Sequence, residues 1–226
     1  MPTILFDFDS TIINCESLEK ILISSLKEKP DLLHKIREIT EEGIRGQRSF
    51  EYSLESRLKI AAPSFSQVMD FGKTAYKYLT YGMLQLFHEL HESQIDLWII
   101  SGGVLESLLD VGNRLGVPEN QIRGVKFLWD EKGEFAAIDK KCLFYRSKVE
   151  GCKSLVHDWS PPTIAIGDAM SDYRLYSQGL VQYFIAYTEH VRCTEVLNEK
   201  NVLEAKNTSE VRDILKGILN GKIIVR

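Results

Sequence analysis

The sequence has few cysteines, no long apolar stretch and no concentrated positive charge. Its four cysteines form no Cys-x-x-Cys pair. Their scatter is typical of reduced thiols in a cytosolic protein, and nothing in the spacing supports a disulfide. No apolar stretch approaches the roughly 20 residues that span a bilayer, and the N-terminus lacks the basic leader of a signal peptide. We therefore expect a cytoplasmic protein with no membrane partner.

The charge balance excludes a second class of partner. The chain carries 28 Lys and Arg against 32 Asp and Glu, a formal net charge of -4, and has no basic run. This pattern argues against nucleic acid as a partner. An apolar content of 44% over 226 residues is typical of a soluble protein whose core can carry a modest insertion. No repeat or low-complexity segment occurs, and nothing in the pattern points to an oligomeric state.

Apolar segments alternate with amphipathic helical segments along most of the chain. Strands are predicted at 2–8, 95–100, 163–166, 180–185 and 202–203, and a hairpin at 125–129 and 135–138. The alternation predicts an α/β fold with a doubly wound parallel sheet. The stretch between the first two strands is helical in pattern instead. We expect a core domain, 1–14 and 81–226, with a small helical bundle, 15–80, inserted after the first strand.

The first apolar segment ends in two carboxylates. Asp7 interrupts the apolar run, and Asp9 follows at a spacing of two, which places both on the same side. Two close carboxylates repel each other and lose hydration unless a cation or a shared proton compensates them. A metal-assisted reaction at the carboxyl end of the strand would explain both residues.

Polar residues also follow the second and third apolar segments. Ser101 and Gly102 follow one, Asp168 follows the other, and Asp172 comes one helical turn later; Lys148 begins a predicted helix. Taken singly, each residue has an ordinary structural role. Asp168 could be a helix N-cap, Ser101 and Gly102 could form a strand-to-helix turn, and Lys148 could be a solvated surface lysine. Ligands of open parallel sheets bind outside the carboxyl ends of the strands. The joint placement therefore predicts one shared site.

These residues, in this order, resemble the motifs of the haloacid dehalogenase-like phosphohydrolases. The four motifs read Asp7-Phe8-Asp9-Ser10-Thr11, Ser101-Gly102-Gly103, Lys148 and Gly167-Asp168-Ala169-Met170-Ser171-Asp172. The resemblance covers essentially the whole chain. It implies a Rossmann-like core with a helical cap, Mg²⁺ as cofactor, and a reaction through an aspartyl phosphate.

The resemblance also assigns roles to the carboxylates. Asp7 would be the nucleophile, and Asp9 would protonate the leaving oxygen and then activate water. Mg²⁺ would be held by Asp7, the backbone carbonyl of Asp9 and Asp168, which are hard oxygen ligands. Asp172 would orient bound water or Lys148 from outside the coordination shell.

The phosphoryl group would have its own set of partners. By the same resemblance, Ser101, the Gly102 amide and Lys148 bind the phosphoryl oxygens. Without their positive charge and donors an anionic nucleophile could hardly approach a phosphate dianion. Dehalogenases of this superfamily lack an acid at the position of Asp9, so this residue favours a phosphatase or phosphotransferase.

The helical insertion resembles the cap of phosphoserine phosphatases. The resemblance rests on Glu16 and on the runs Glu42-Gly43-Ile44-Arg45-Gly46 and Ser49-Phe50-Glu51-Tyr52-Ser53-Leu54-Glu55-Ser56-Arg57. It implies that Glu16 pairs with a substrate ammonium, that Arg57 pairs with a carboxylate, and that Ile44 and Phe50 form an apolar wall. From the residues alone, Glu16 also fits the first turn of a helix and Arg57 a surface position.

The last motif departs from the phosphoserine phosphatase pattern Gly-Asp-Gly-x-Asn-Asp. Ala169 replaces its second glycine and Ser171 its asparagine, so the longer amide reach is lost at a position expected to face substrate. The expected partner is a small phosphorylated metabolite, with phosphoserine first. Homoserine phosphate, a phosphorylated sugar or amino alcohol, and phosphotransfer stay open. A binding or regulatory protein that lost turnover is a further alternative, disfavoured by the intact motifs.

Overall fold

A computed structural model describes residues 1–23 and 25–224. The strands are β1 (Thr3–Phe6), β2 (Asp96–Val104), β3 (Ile122–Val125), β4 (Phe127–Trp129), β5 (Phe135–Ile138), β6 (Thr163–Gly167), β7 (Tyr183–Tyr187) and β8 (Val202–Ala205). Six of them form one sheet in the order β3-β2-β1-β6-β7-β8, and every pairing in it is parallel. The predicted doubly wound parallel sheet is confirmed.

The centre of the sheet sets the position of the site. All four residues of β1 are buried, and Phe6 pairs with Ile99 of β2 on one side and Ile166 of β6 on the other. The chain therefore winds away from β1 in both directions, which opens a crevice at the carboxyl ends of β1 and β6. The amide of Asp7 donates to Ile166 O at 2.8 Å, so Asp7 lies at that crevice.

Helices cover the sheet and form the insertion. They are α1 (Ser17–Leu22), α2 (Pro30–Ile44), α3 (Phe50–Ile60), α4 (Phe65–Thr74), α5 (Met83–Glu92), α6 (Leu105–Arg114), α7 (Lys148–Cys152), α8 (Met170–Ser177), α9 (Thr194–Leu197) and α10 (Thr208–Leu219). Local sequence explains several starts, since Pro30 opens α2, the Ser49 side chain caps α3, and Ser64 with Gln67 forms a capping box at α4. Among the described residues, no helix has both the length and the apolar character to cross a bilayer.

Two crossing segments connect the helical insertion to the sheet domain. Ile13 and Leu79 form an antiparallel bridge, Asn14 N donates to Tyr78 O, and Thr80 N donates to Ile12 O, each at 2.9 Å. The chain thus enters and leaves α1–α4 side by side. We propose this paired crossing as the boundary between the core, 1–14 and 81–226, and the cap, 15–80.

Several strand predictions needed correction. The first strand, expected at 2–8, ends at Phe6, and the second, expected at 95–100, continues through Ser101 and Gly102 to Val104. Val125 was expected in the hairpin, but it belongs to β3, which pairs with β2 at the sheet edge; a four-residue strand is too short to show a period of its own. The strand expected at 180–185 begins at Tyr183. The amides of Leu180 and Val181 both donate to Leu175 O, so they close α8 and are not available to the sheet.

Candidate active site

The carboxyl ends of β1, β2 and β6 open into one cavity beneath α2 and α3. Every site residue expected from the sequence lines it except Asp172, which lies directly behind. The lining set is Asp7, Asp9, Glu16, Ile44, Phe50, Arg57, Ser101, Gly102, Lys148, Asp168 and Ser171. Residues from five separate stretches of the chain therefore converge at the predicted edge of the sheet.

An irregular turn after β1 returns the chain to this cavity. Within Phe8–Ile12, Asp9 is extended and Ser10 has a φ of 52°, which is uncommon outside glycine. Ser10 N donates to Cys15 O at 3.2 Å, and its hydroxyl donates to Glu16 Oε1 at 2.7 Å. The turn thereby places Glu16 beside the two aspartates.

Lys148 joins two buried carboxylates. Its Nζ lies 2.5 Å from Asp7 Oδ1 and 2.5 Å from Asp172 Oδ1, and Asp7 Oδ1 also accepts from Phe8 N at 2.7 Å. Burial alone would lower the pKa of Lys148, but Asp172 and Asp7 outweigh it and the pKa is raised. Burial raises the pKa of Asp7, against the opposing charge of Lys148. The ammonium therefore stays charged and fixes the Asp7 carboxylate.

The carboxylates fit a divalent cation. Oxygens of Asp7, Asp168 and Asp172 all lie within 4.8 Å of one another, and Asp168 Oδ2 is buried with no hydrogen-bond partner among the described residues. Burial and the charge of Asp7 raise the pKa of Asp168 well above its usual range. Asp172 has both oxygens in use, by Lys148 and by Ala169 N at 3.2 Å. Asp168 and Asp7 are thus the more available ligands, and their oxygens suit Mg²⁺.

Asp9 has a different environment from Asp7. Its carboxylate accepts from Ser17 N at 3.0 Å and from Ser17 Oγ at 2.8 Å, so it caps α1. Burial, followed by the charges of Glu16 and Asp7, raises the pKa of Asp9 well above its usual range. A carboxyl group whose pKa is raised in this way is better suited to act as a general acid.

The cap lies directly on the end of β2. A Cβ placed on Gly102 would lie 2.6 Å from Phe50 Cε2, so any larger residue there would displace the Phe50 ring. Ser101 is fully buried, and its Oγ accepts from Gly103 N at 2.9 Å. Phe50, at the start of α3, therefore closes the cavity above the strand end.

Glu16 and Arg57 line the cavity without pairing. Arg57 is 7% exposed, and no carboxylate among the described residues lies within 4.0 Å of its guanidinium. Burial lowers the pKa of Arg57, with Glu16 opposing this, and burial raises the pKa of Glu16. Two opposite charges in one cavity, neither in an ion pair within the described part of the chain, suit a ligand that carries both signs.

Sequence reasoning missed several lining residues. Thr40, Arg48, Ser53 and Arg174 also line the cavity. A signal for Thr40 was available, because it follows Ile36 by four positions and both lie on the buried face of α2. A polar residue on a buried helix face indicates a side-chain partner, and here that partner is Arg57.

Comparison with known proteins places these residues in a family. The family described as haloacid dehalogenase-like hydrolase matches residues 4–177. The chloroplastic phosphoserine phosphatase of Arabidopsis thaliana is 28% identical over 190 residues, which are 83% of this chain and 63% of that protein. The chain thus spans less than two thirds of that relative. The phosphoserine phosphatase of Methanocaldococcus jannaschii is 26% identical over 95% of this chain and 96% of that protein.

Solved structures share the fold over nearly the whole chain. A phosphoserine phosphohydrolase-like protein from Francisella tularensis has a TM-score of 0.92 at 35% identity, covering 95% of this chain and 100% of that one. A substrate-bound phosphoserine phosphatase has a TM-score of 0.72 at 21% identity, covering 95% and 97%. The second likeness concerns the fold alone.

Proposed function

Because the chain belongs to the haloacid dehalogenase-like hydrolase family, we propose that it is a phosphomonoesterase whose substrate is O-phospho-L-serine. One observation carries the substrate assignment. The guanidinium of Arg57, which is buried and forms no ion pair among the described residues, lines the same cavity as Asp7 and Lys148, and so does the carboxylate of Glu16. Phosphoserine carries a phosphate, a carboxylate and an ammonium, and each has a complementary group there.

In the first step, Asp7 attacks phosphorus. A bond forms between an Asp7 oxygen and phosphorus, and the bond from phosphorus to the serine oxygen breaks. Asp9 delivers its proton to that oxygen, which leaves as the serine hydroxyl. Because Lys148 and Phe8 N hold the Asp7 carboxylate, the nucleophile is positioned before substrate arrives.

In the second step, water releases the phosphoryl group. The Asp9 carboxylate, now ionised, accepts a proton from water, which attacks phosphorus as the bond to Asp7 breaks. Inorganic phosphate leaves and Asp9 is again protonated. Ser101, the Gly102 amide and Lys148 would bind the phosphoryl oxygens throughout.

A divalent cation belongs to this proposal. Asp7, Asp168 and the Asp9 backbone carbonyl would hold Mg²⁺, as the unpartnered Asp168 Oδ2 supports. When bound, Mg²⁺ would offset the repulsion between the anionic nucleophile and the phosphate dianion.

The cavity also limits the size of the substrate. Its volume is about 90 Å³, room for several water-sized groups, which favours a small phosphomonoester over a nucleotide. Ile44 and Phe50 would cover the substrate methylene.

The cytoplasmic location stays a prediction, and one relative is named as chloroplastic.

A panel of phosphomonoesters tests the proposal. Phosphoserine, homoserine phosphate, phosphoethanolamine, a sugar phosphate and an aryl phosphate are compared by kcat/KM, with Mg²⁺ or with a chelator. We expect phosphoserine to give the highest value and chelation to abolish turnover of every compound. A higher value for another ester would overturn the substrate assignment. Binding without turnover of any ester would favour the regulatory alternative.

A further inference from the structure

Arg57 is held in place by two hydrogen bonds within the cap. Its Nε donates to Ser53 O at 3.3 Å and its Nη1 donates to Thr40 Oγ1 at 3.4 Å. Both acceptor residues are buried and line the cavity. A guanidinium has five N–H donors, so three are left, including both on Nη2.

The Thr40 hydroxyl can only accept from Arg57. Its single hydrogen is donated to Ile36 O at 3.0 Å, so the oxygen presents lone pairs to the guanidinium. The bond to Ile36 also fixes the rotamer of Thr40. The position of the acceptor is therefore set by helix α2, independently of any ligand.

Ser53 completes this arrangement from helix α3. Its carbonyl accepts from Arg57, and its hydroxyl donates to Ile39 O of α2 at 3.1 Å. Two helices thus hold one arginine plane. A planar, fixed guanidinium edge is the form that binds a carboxylate with two parallel hydrogen bonds.

We propose that Thr40 is a positioning residue that fixes the Arg57 guanidinium so that its free edge meets the substrate carboxylate. This inference rests on the proposed function, since it requires a substrate that carries a carboxylate. Thr40 itself touches no reacting atom. Its loss should weaken binding of carboxylate-bearing esters and leave phosphoryl transfer intact.

Two substrates and three variants test the role of Thr40. Phosphoethanolamine keeps the phosphate and ammonium of phosphoserine and lacks the carboxylate. Thr40→Val removes the hydroxyl at nearly constant volume. Thr40→Ala removes it without placing a methyl group against Arg57. Thr40→Ser restores it.

The matched control is Thr74→Val. Thr74 lies on α4, and its hydroxyl also donates to the carbonyl four residues earlier, Asp70 O, at 2.9 Å. It contacts no arginine in any hydrogen bond of the described residues. This variant therefore reports the cost of removing a helical threonine hydroxyl alone.

We expect Thr40→Val and Thr40→Ala to raise KM for phosphoserine roughly tenfold, the scale of one hydrogen bond to a charged group. Their kcat values, and kcat/KM for phosphoethanolamine, should match those of the wild type. Thr40→Ser and Thr74→Val should behave as wild type on both substrates. Equal losses on both substrates, or no loss on phosphoserine, would overturn the inference.

Arg57→Ala separates this inference from the proposal beneath it. If Arg57→Ala weakens phosphoserine turnover selectively and the Thr40 variants do not, only the role of Thr40 fails. If Arg57→Ala affects the two substrates equally, Arg57 does not bind the carboxylate. In that case the substrate assignment and the role of Thr40 fail together.

Discussion

The Nζ atom of Lys148 lies 2.5 Å from Oδ1 of Asp172, and both side chains are almost fully buried. Since the same Nζ contacts Asp7, the pair determines where the proposed nucleophile is held. Asp172 is not free to serve mainly as a metal ligand, because its other oxygen accepts from Ala169 N. It therefore acts through Lys148.

Asp172→Asn tests this relationship. Removing one partner of a buried ion pair leaves Lys148 undercompensated, so we expect the free energy of unfolding to fall by about 3 kcal/mol. Activity should fall roughly 10- to 100-fold, as for other groups that orient a metal site. Denaturant titration and kcat/KM give the two readings. The control is Asp110→Asn, which breaks the exposed Asp110–Arg114 pair and should change the unfolding free energy by less than about 1 kcal/mol. Equal losses of unfolding free energy in the two variants would refute the role of Asp172 in holding Lys148.

Asp168→Asn should have opposite effects with and without Mg²⁺. Without metal, Asp168 Oδ2 is a buried acceptor that lies close to Asp7 and has no hydrogen-bond partner among the described residues. Because the neutral amide of asparagine removes the repulsion between the two carboxylates, the variant should have a higher thermal midpoint. With Mg²⁺ at 100 times its Kd, the wild type should gain about 2.7 kcal/mol, and the variant should gain little. If Mg²⁺ does not change the thermal midpoint of the wild type, the metal assignment is contradicted.

His190 predicts a loss of stability at acidic pH. Its Nε2 lies 2.8 Å from Thr80 Oγ1, whose hydrogen is donated to Thr11 O, so the ring donates. Burial lowers the pKa of His190 from its usual value, against the opposing charge of Glu189. Below the usual histidine pKa of about 6.5, the unfolded chain therefore binds more protons than the folded protein does, and stability is lost as the pH falls. Between pH 7 and pH 5, the thermal midpoint of His190→Gln should fall less than that of the wild type. His88→Gln, at an exposed position, should follow the wild type.

Gly102→Ala tests the closure of the cap. The new methyl group would meet the Phe50 ring at 2.6 Å, so the ring must move away from the end of β2, and kcat/KM for phosphoserine should fall at least tenfold. In Phe50→Ala the ring is gone, so adding Gly102→Ala should cost far less than it does alone. Strictly multiplicative losses in this double-mutant cycle would show that the two residues do not contact each other in the working enzyme.

The sequence predicted most of the fold because its signals were local. Long amphipathic stretches, serine caps and apolar strands could each be identified from a few neighbouring residues. Because parallel strands end at one edge of the sheet, Asp7, Ser101 and Asp168 could be placed together. The short edge strand Ile122–Val125 was missed, since its identity depends on pairing with β2. Thr40 was missed for a similar reason. The buried face of α2 indicates that Thr40 needs a polar partner, but the identity of that partner, Arg57, depends on how α2 and α3 approach each other.

The cap residues show the same contrast between what local sequence predicts and what depends on tertiary contacts. Phe50 and Arg57 were expected to face substrate only through resemblance to other caps. The geometry adds a physical basis for both, since Phe50 lies on Gly102 and Arg57 is buried and forms no ion pair with any carboxylate of the described residues. Ser171 lines the cavity as expected.

The most direct test of the account is to trap the phosphoryl group on the protein. The enzyme is mixed with phosphoserine and Mg²⁺, quenched in acid within the first turnover, reduced with borohydride and mapped by mass spectrometry. Reduction converts an aspartyl phosphate to homoserine, and we predict homoserine at position 7, absent from Asp7→Asn, which should fold but not turn over. Turnover without modification of Asp7, or modification of Asp168 in its place, would contradict the assignment of Asp7 as the nucleophile.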